Sequence, residues 1–150
     1  MKYSCELTID LPRDEVVALF DDPDNLVKWQ PGLQSFEHLS GDPGQPGAKS
    51  RLLYDEGGRR IEMIETIVTR DLPETFSGIY EAKGVWNEVS NHFLEEDGVT
   101  RWVLDSDFRF SGFMLLMLIF MRGAFRRQTE KTMQRFKDFA EGREVEQGAD

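Results

Sequence analysis

The stretch that decides the fold is residues 113–141, which reads FMLLMLIFMRGAFRRQTEKTMQRFKDFAE. Apolar side chains recur along it at helical spacing from Met114 to Phe139, and after Arg122 charged residues fill much of the opposite face, as in an amphipathic helix. At 1.5 Å per residue, a helix of this length measures roughly 40 Å. The sequence therefore predicts one long helix over this stretch, able to cross a whole sheet.

Upstream of this helix the apolar pattern changes to a period of two, which is typical of strands. At the N-terminus Tyr3, Cys5, Leu7 and Ile9 alternate with polar residues. Six more strand-like segments follow, at residues 33–39, 48–55, 59–69, 75–82, 85–94 and 100–110. Short stretches rich in Gly, Pro and Asp separate most of them, so neighbouring strands are predicted to run antiparallel.

Two short helices are predicted between the first strand and the second. Pro12 suits the first turn of one helix, and Asp22-Pro23 resembles the cap and first turn of the other. The expected fold class is α+β, with a curved antiparallel sheet of about seven strands around the long C-terminal helix. We expect one ligand-binding domain over residues 1–144, followed by a flexible tail at residues 145–150.

Composition narrows the class of protein. The chain has 150 residues and a net charge of -10, so it suits one domain and would be repelled by nucleic acid. Cys5 is the only cysteine, which excludes an intrachain disulfide and favours a reducing, cytoplasmic location. The N-terminus lacks the apolar run of a signal peptide, and no apolar run is long enough for a membrane span.

Several segments resemble the START-like superfamily, also called the helix-grip, SRPBCC or polyketide cyclase/dehydrase-like group. The similarity runs from Leu7 to Glu141 and rests on the order and spacing of its elements. The matching segments are Leu11–Val16, Asp22–Leu26, Trp29–Gly32, Gly98–Trp102, Phe125–Arg127 and Phe136–Glu141. The resemblance implies a helix-grip fold with a deep cavity between sheet and helix for lipids, sterols, quinones, polyketides or other apolar molecules.

The same resemblance implies no single activity, because the superfamily includes transfer proteins, receptors, cyclases and co-chaperone domains. The first hypothesis is therefore binding or carriage of an apolar small molecule. A cyclase- or dehydratase-like enzyme acting on a polyketide-like substrate is the alternative. A protein-interaction module that uses the apolar start of the last helix is a second alternative.

Aromatic and apolar residues on the predicted strands and last helix supply candidate ligand contacts, although each could equally be ordinary core. On the last helix two polar residues interrupt the inward stripe, and each would bond either a ligand or a neighbouring carbonyl group. The predicted ligand-binding residues are Trp29, Tyr54, Met63, Phe76, Tyr80, Trp102, Leu104, Phe108, Met121, Phe125, Gln128, Thr132 and Phe136.

Only two residues are candidates for acid–base catalysis. Glu65 shares a strand face with Ile61 and Met63, and burial there would raise its pKa. His92 shares its strand parity with Trp86, and the sequence leaves open whether that parity faces inward. With two histidines and one cysteine far apart, we expect no metal site, and no motif indicates a cofactor.

The segment Phe113–Met121 is apolar on all sides of the predicted helix. Such a surface needs covering by the domain's own loops, by a second subunit or by a membrane. The adjacent Arg122, Arg126 and Arg127 suit anionic lipid, whereas the overall negative charge opposes it. A homodimer contact or self-coverage is the favoured interpretation at this point.

Overall fold

The computed structural model describes residues 1–147, and its seven strands form one antiparallel sheet. The strands are β1 Lys2–Ile9, β2 Leu33–Ser40, β3 Lys49–Glu56, β4 Arg59–Asp71, β5 Thr75–Ala82, β6 Val85–Glu96 and β7 Val99–Phe110. Their order across the sheet is β1-β7-β6-β5-β4-β3-β2, so β1 and β2 are the two edges. The predicted curved antiparallel sheet is confirmed.

The helices also follow the sequence prediction. They are α1 Arg13–Phe20, a 3-10 helix Pro23–Asn25, α2 Leu26–Trp29 and α3 Phe113–Ala140. The Asp22 side chain accepts a hydrogen bond from the Asp24 backbone N–H at 3.0 Å, which caps the 3-10 helix. The α+β helix-grip arrangement is therefore the fold of this chain.

The chain turns sharply from β7 into α3 at Gly112. This residue has φ 60° and ψ −135°, a backbone conformation that side chains with a Cβ rarely adopt. Two residues, Ser111 and Gly112, are then enough to redirect the chain from the sheet onto the helix. The start of α3 is consequently fixed at the same end of the sheet as the turn between β5 and β6, where Ser111 N–H donates to the Gly84 carbonyl at 3.0 Å.

Helix α3 packs chiefly on β1, β7 and α2. The Tyr3 hydroxyl of β1 lies 2.6 Å from Thr129 Oγ1 of the helix. Arg126 donates to the Ser4 carbonyl at 2.9 Å on the free edge of β1, which covers a backbone acceptor that an edge strand otherwise leaves unpaired. The helix therefore lies toward one side of the sheet.

A cluster of five aromatic rings fills one half of the trough between the sheet and α3. Its members are Phe20, Trp29, Phe93, Trp102 and Phe136, with ring centroids 5.1–6.1 Å apart. Trp102, Phe93 and Phe136 are at most 1% exposed. Interlocking rings of this kind make a solid core, which we call the aromatic core.

The predicted tail is described only in part. Residues 145–147 follow α3 without regular structure, and the Glu146 carbonyl accepts a hydrogen bond from Arg135 Nε at 3.1 Å. Residues 148–150, the end of that predicted tail, lie outside the described residues. The boundary after residue 144 stays a prediction.

Candidate functional site

The register between strands fixes which side chains face the helix. Phe93 and Trp102 are directly opposite each other and both belong to the aromatic core, so alternation along each strand identifies the inner face. One row of directly opposed inner residues crosses six strands, from β7 to β2. In order it contains Phe108, Asn87, Tyr80, Glu65, Ser50 and His38. The five residues from Asn87 to His38 are polar, so a polar row runs from β6 to β2 across an otherwise largely apolar inner wall.

The two halves of the trough differ in how completely they are filled. Around the aromatic core the inner side chains are buried, whereas Tyr54, Met63, Glu65, Tyr80 and Phe108 are only partly buried. Because α3 packs chiefly on β1 and β7, it leaves the inner face of β3, β4 and β5 less covered. We call this region, under the N-terminal half of α3, the open half.

The ring of Tyr80 lies beside Gly78 in the open half. Gly78 is buried on the inner face of β5, and a Cβ placed on it would be 3.6 Å from both Cε2 and the hydroxyl oxygen of Tyr80. The tyrosine ring therefore folds back over the glycine backbone, as aromatic residues do over strand glycines. This position directs the phenol along the inner face of the sheet, where Glu65 is its cross-strand neighbour.

The carboxyl group of Glu65 lies in a poorly solvated region of the inner wall. Burial raises the pKa of its carboxyl group above the ordinary value, and the Tyr80 hydroxyl opposes part of that rise. No cation within residues 1–147 contributes to this shift. The carboxyl group can therefore accept a hydrogen bond when ionised or donate one when protonated.

Two tyrosines share the low polarity of this region. Burial, followed by the nearby charge of Glu65, raises the pKa of Tyr80 well above its usual range, and the same two causes raise the pKa of Tyr54. The Tyr54 hydroxyl donates to Gln30 Oε1 at 2.6 Å. Both phenols consequently stay protonated near neutral pH and serve as hydrogen-bonding groups.

Further polar groups of the inner wall escaped the sequence prediction. Asn87 Nδ2 donates to Ser106 Oγ at 2.8 Å and to the Asp107 carbonyl at 3.2 Å. The Tyr3–Thr129 pair lies at the boundary with α3. The signal for Asn87 was its even spacing from Val89 and Phe93, two and six residues away, but that spacing becomes informative only when the inward-facing parity of β6 is known.

The predicted ligand-binding residues separate into groups. Half-buried positions are held by Tyr54, Met63, Phe76, Tyr80, Leu104, Phe108, Met121, Phe125 and Thr132. The structure places Trp29, Trp102 and Phe136 inside the aromatic core, where they pack against other rings, and their contact with a ligand stays a prediction. Phe76 contacts the edge of that core through Phe20, at a centroid distance of 6.0 Å.

The two polar residues predicted on the inward stripe of α3 bond within the helix. Thr132 Oγ1 donates to the Gln128 carbonyl at 3.0 Å, and Gln128 is exposed. Thr129 instead reaches the sheet, through Tyr3. Because α3 leans toward β1, the residue that meets the strand lies one position away from the one expected for a central helix.

His92 lies on the outer face of the sheet, opposite to Glu65. Its Nε2 is 3.3 Å from Asp105 Oδ2, and 38% of its side chain is exposed. Trp86 shares this outer face, where the Arg109 guanidinium lies 4.4 Å from the centroid of its ring. The structure therefore does not bring His92 and Glu65 together.

A metal-binding cluster and a surface groove were the other candidate sites among the described residues, and neither involves the open half. Within residues 1–147 no group of three or more His, Cys, Asp or Glu side chains is placed to hold a metal ion. An open groove of about 610 Å³ lies outside the trough, between β1 and α3, and is lined by residues that include Cys5, Arg126 and Glu130. This groove is separate from the row of polar residues on the inner wall.

A family model described as "Polyketide cyclase / dehydrase and lipid transport" matches residues 2–141. The chain belongs to this family. The resemblance drawn from the sequence is thereby confirmed. No curated protein sequence matches the chain.

Solved structures of the same fold cover nearly the whole chain of this family member. A conserved protein from Geobacillus kaustophilus is 15% identical with a TM-score of 0.78, and the match covers 95% of this chain and 96% of that one. The ZhuI aromatase/cyclase from Streptomyces sp. R1128 is 16% identical with a TM-score of 0.77, covering 94% and 93%. Norcoclaurine synthase from Thalictrum flavum, in complex with dopamine and hydroxybenzaldehyde, is 12% identical with a TM-score of 0.72, covering 97% and 89%. At these identities the likeness establishes the fold alone.

Proposed function

We propose that this protein binds and carries an apolar small molecule, such as a lipid, quinone, sterol or polyketide-like compound, in the open half of the trough. The observation that carries the proposal is the half-buried inner wall on which Glu65 and Tyr80 stand among apolar side chains. Apolar area supplies most of the binding free energy in such a site, and a few polar groups set orientation.

The chemistry of the polar pair suggests how a ligand is oriented. A ligand hydroxyl or amine would donate to an ionised Glu65, and a ligand carbonyl would accept from the Tyr80 phenol or from a protonated Glu65. A contact made by Glu65 itself would add a second hydrogen-bonding partner for its carboxyl group, beside Tyr80. The ligand is therefore expected to be apolar over most of its surface and polar at one end.

Relatives supply independent support. The family description includes lipid transport, and one structure with this fold was solved with dopamine and hydroxybenzaldehyde. Both point to small organic molecules as the ligand class of this chain.

The test is a titration with fatty acids, sterols, quinones and aromatic polyketides, followed by tryptophan fluorescence and thermal unfolding. A specific ligand should raise Tm progressively with its concentration, because it binds only the folded state. Mass spectrometry of molecules that copurify with the protein would give the ligand class directly. If no class binds and nothing copurifies, the carrier proposal is wrong.

Variants of the polar pair test the orientation. Glu65→Gln replaces the carboxylate that would accept from a ligand hydroxyl or amine by a neutral amide, and Tyr80→Phe removes a hydroxyl group. Each should weaken binding of a ligand with one polar end about tenfold. The control is Glu62→Gln, because Glu62 is exposed and paired with Arg51 at 3.2 Å. Equal affinity in all three variants would exclude the assigned role of Glu65 and Tyr80.

A cyclase- or dehydratase-like enzyme is the alternative, favoured by the raised pKa of Glu65. A raised pKa moves a carboxyl group toward the range in which it can serve as a general acid. Turnover of a bound polyketide-like compound that is lost in Glu65→Gln, while binding is retained by a shorter or neutral analogue, would support the enzyme. Unchanged compound after prolonged incubation would support the carrier.

Two narrower expectations belong to this proposal. A cytoplasmic location follows from the lone cysteine, Cys5, which is buried and free. A homodimer through Phe113–Met121 stays a prediction of the sequence, and it competes with any other partner for the same apolar residues. Its measurement is the sedimentation coefficient of the wild type and of a variant altered in that segment.

A further inference from the structure

The first two turns of α3 expose large apolar side chains that the fold leaves uncovered. Phe113, Ile119 and Phe120 are 71–78% exposed, and Leu115 and Leu116 are more than half exposed. A protein surface rarely groups so many such residues unless it meets a partner or a membrane. We call these five residues the apolar start of α3.

The exposed arc is wider than the stripe through which one helix contacts another. Leu115 and Ile119 lie on one flank, and Phe113, Leu116 and Phe120 lie on the other, so at 100° per residue the arc spans roughly 160°. A coiled-coil seam is a narrower stripe. A continuous apolar medium would cover the whole arc.

Charge distinguishes this segment from the rest of the molecule. Residues 113–129 contain three arginines, Arg122, Arg126 and Arg127, and no Asp or Glu, although the whole chain has a net charge of -10. Arg126 is paired with Glu130 at 3.2 Å, whereas Arg122 and Arg127 make no ion pair within residues 1–147. The two unpaired arginines are available to anionic groups next to the apolar surface.

Gly123 allows one of these arginines to lie close to the helix. A Cβ placed on Gly123 would be 2.8 Å from a terminal guanidinium nitrogen of Arg127. Because Gly123 precedes Arg127 by one turn, the guanidinium reaches back toward Phe120. Apolar side chains with a cation beside them are the arrangement by which amphipathic helices bind the membrane interface.

A group of acidic residues lies at the end of the trough opposite to the start of α3. Residues 10–24, which hold α1 and the 3-10 helix, contain six Asp or Glu. Helix α1 packs on β6 near Phe93. This end of β6 is far from Gly84, beside which α3 begins. An anionic surface would therefore attract the start of α3 and repel the opposite end, which sets one orientation.

We propose that the apolar start of α3 docks on the surface of a membrane that contains anionic lipids. The helix lies in the interface, with Phe113, Leu116 and Phe120 among the acyl chains and Arg122 and Arg127 at the phosphates. No helix within residues 1–147 is long and apolar enough to cross a bilayer, so the contact is peripheral. This inference goes beyond the binding of a small molecule and stands without it.

The first experiment is flotation of the ligand-free protein with vesicles of phosphatidylcholine alone or of phosphatidylcholine mixed with phosphatidylglycerol. The wild type should bind the mixed vesicles more strongly, and added salt should weaken the difference. The double substitution Leu116→Ser and Phe120→Ser should reduce the partition coefficient about tenfold or more. Since both side chains are already exposed, Tm should stay close to that of the wild type.

Matched controls separate the surface from general hydrophobicity and charge. Val27→Ser with Leu94→Ser removes two exposed apolar side chains elsewhere, at 56% and 39% exposure, and should leave flotation unchanged. Arg122→Gln with Arg127→Gln should reduce binding to the mixed vesicles about tenfold and to neutral vesicles much less.

Three outcomes would overturn the proposal. One is that the wild type floats with neither kind of vesicle. Another is that Leu116→Ser with Phe120→Ser floats as well as the wild type. The third is that sedimentation shows a wild-type dimer which this variant loses while vesicle binding is unaffected, because the surface would then be the contact between two copies of the chain.

Discussion

Under the proposed function, Glu65 is the residue at which stability and ligand binding oppose each other. Burial raises its pKa, so ionising it in the folded protein costs more free energy than in the unfolded chain. A residue kept only for stability would be replaced by an apolar or neutral one at this position. The cost of burying the carboxyl group agrees with the proposed contact between Glu65 and a ligand.

This cost predicts how stability depends on pH. Because the pKa of Glu65 is higher in the folded state, the folded state binds the proton more tightly, and its stability is reduced as pH rises from the unfolded pKa through the folded one. Glu65→Gln removes that loss. The free energy of unfolding of this variant should therefore exceed that of the wild type at about pH 8 and approach it near pH 4.

The measurement is denaturant unfolding of both proteins across this pH range. Glu62→Gln is the control, because Glu62 lies on the outer face of the same strand and is exposed. A difference between Glu65→Gln and the wild type that is constant with pH, or that grows toward acid, would contradict the raised pKa.

Helix α3 is the element that joins the two halves of the trough. Its C-terminal half places Phe136 in the aromatic core at 0% exposure. Its N-terminal half is held by Phe125, whose ring centroid is 4.9 Å from that of Phe108. The same helix thus contributes to a packed core at one end and to an accessible wall at the other.

The two phenylalanines should therefore differ in what they cost when truncated. Phe136→Ala should reduce the free energy of unfolding by about 3–5 kcal/mol, since it leaves a cavity among four rings. Phe125→Ala should cost about 2 kcal/mol or less because its site is already partly accessible. Denaturant unfolding measures both, and equal losses would mean that the open half is as tightly packed as the core.

The sequence predicted the strands and helices well, because the two kinds of element differ in the period of their apolar residues. The shift from a period of two to a helical one after Gly112 located α3, and turn residues located the strands. Such local signals need no knowledge of tertiary contacts. The helix-grip fold could therefore be predicted from the sequence.

The candidate site was less predictable, since it depends on contacts between distant elements. The parity of β6 is fixed only by its register with β7, which places Phe93 inward and His92 outward. Likewise the helix residue that bonds to the sheet is Thr129, because α3 leans toward β1. The sequence predicted Gln128 and Thr132 instead. Glu65 and Tyr80 could be named because each shares its strand parity with apolar neighbours.

The whole molecule divides its trough between stability and accessibility. The aromatic core and the two short helices fill one end of the trough, and this close packing stabilises the domain. The other end is lined by half-buried side chains beneath the apolar start of α3. A membrane-bound orientation of this start would place the open half near the source of an apolar ligand.

Filling the open half should separate ligand binding from folding. Thr132→Trp introduces a large ring at a half-buried position on the side of α3 that faces the trough. We expect it to weaken ligand binding at least about tenfold, while its apolar area offsets the lost Thr132–Gln128 bond, so that stability changes by less than about 1 kcal/mol. Gln134→Trp is the matched control, because the exposed Gln134 lies on the opposite side of the same helix.

The comparison is made with whichever ligand of the titration panel raises Tm, by fluorescence titration and thermal unfolding of both variants. If Thr132→Trp binds it as well as the wild type does, the ligand lies outside the open half. A loss of binding confined to Gln134→Trp would point to the groove between β1 and α3, which Gln134 lines. If Thr132→Trp loses stability as well as binding, that position is packed core and the trough is closed along its whole length. The proposal of a ligand site in the open half requires that Thr132→Trp loses binding while it keeps the stability of the wild type.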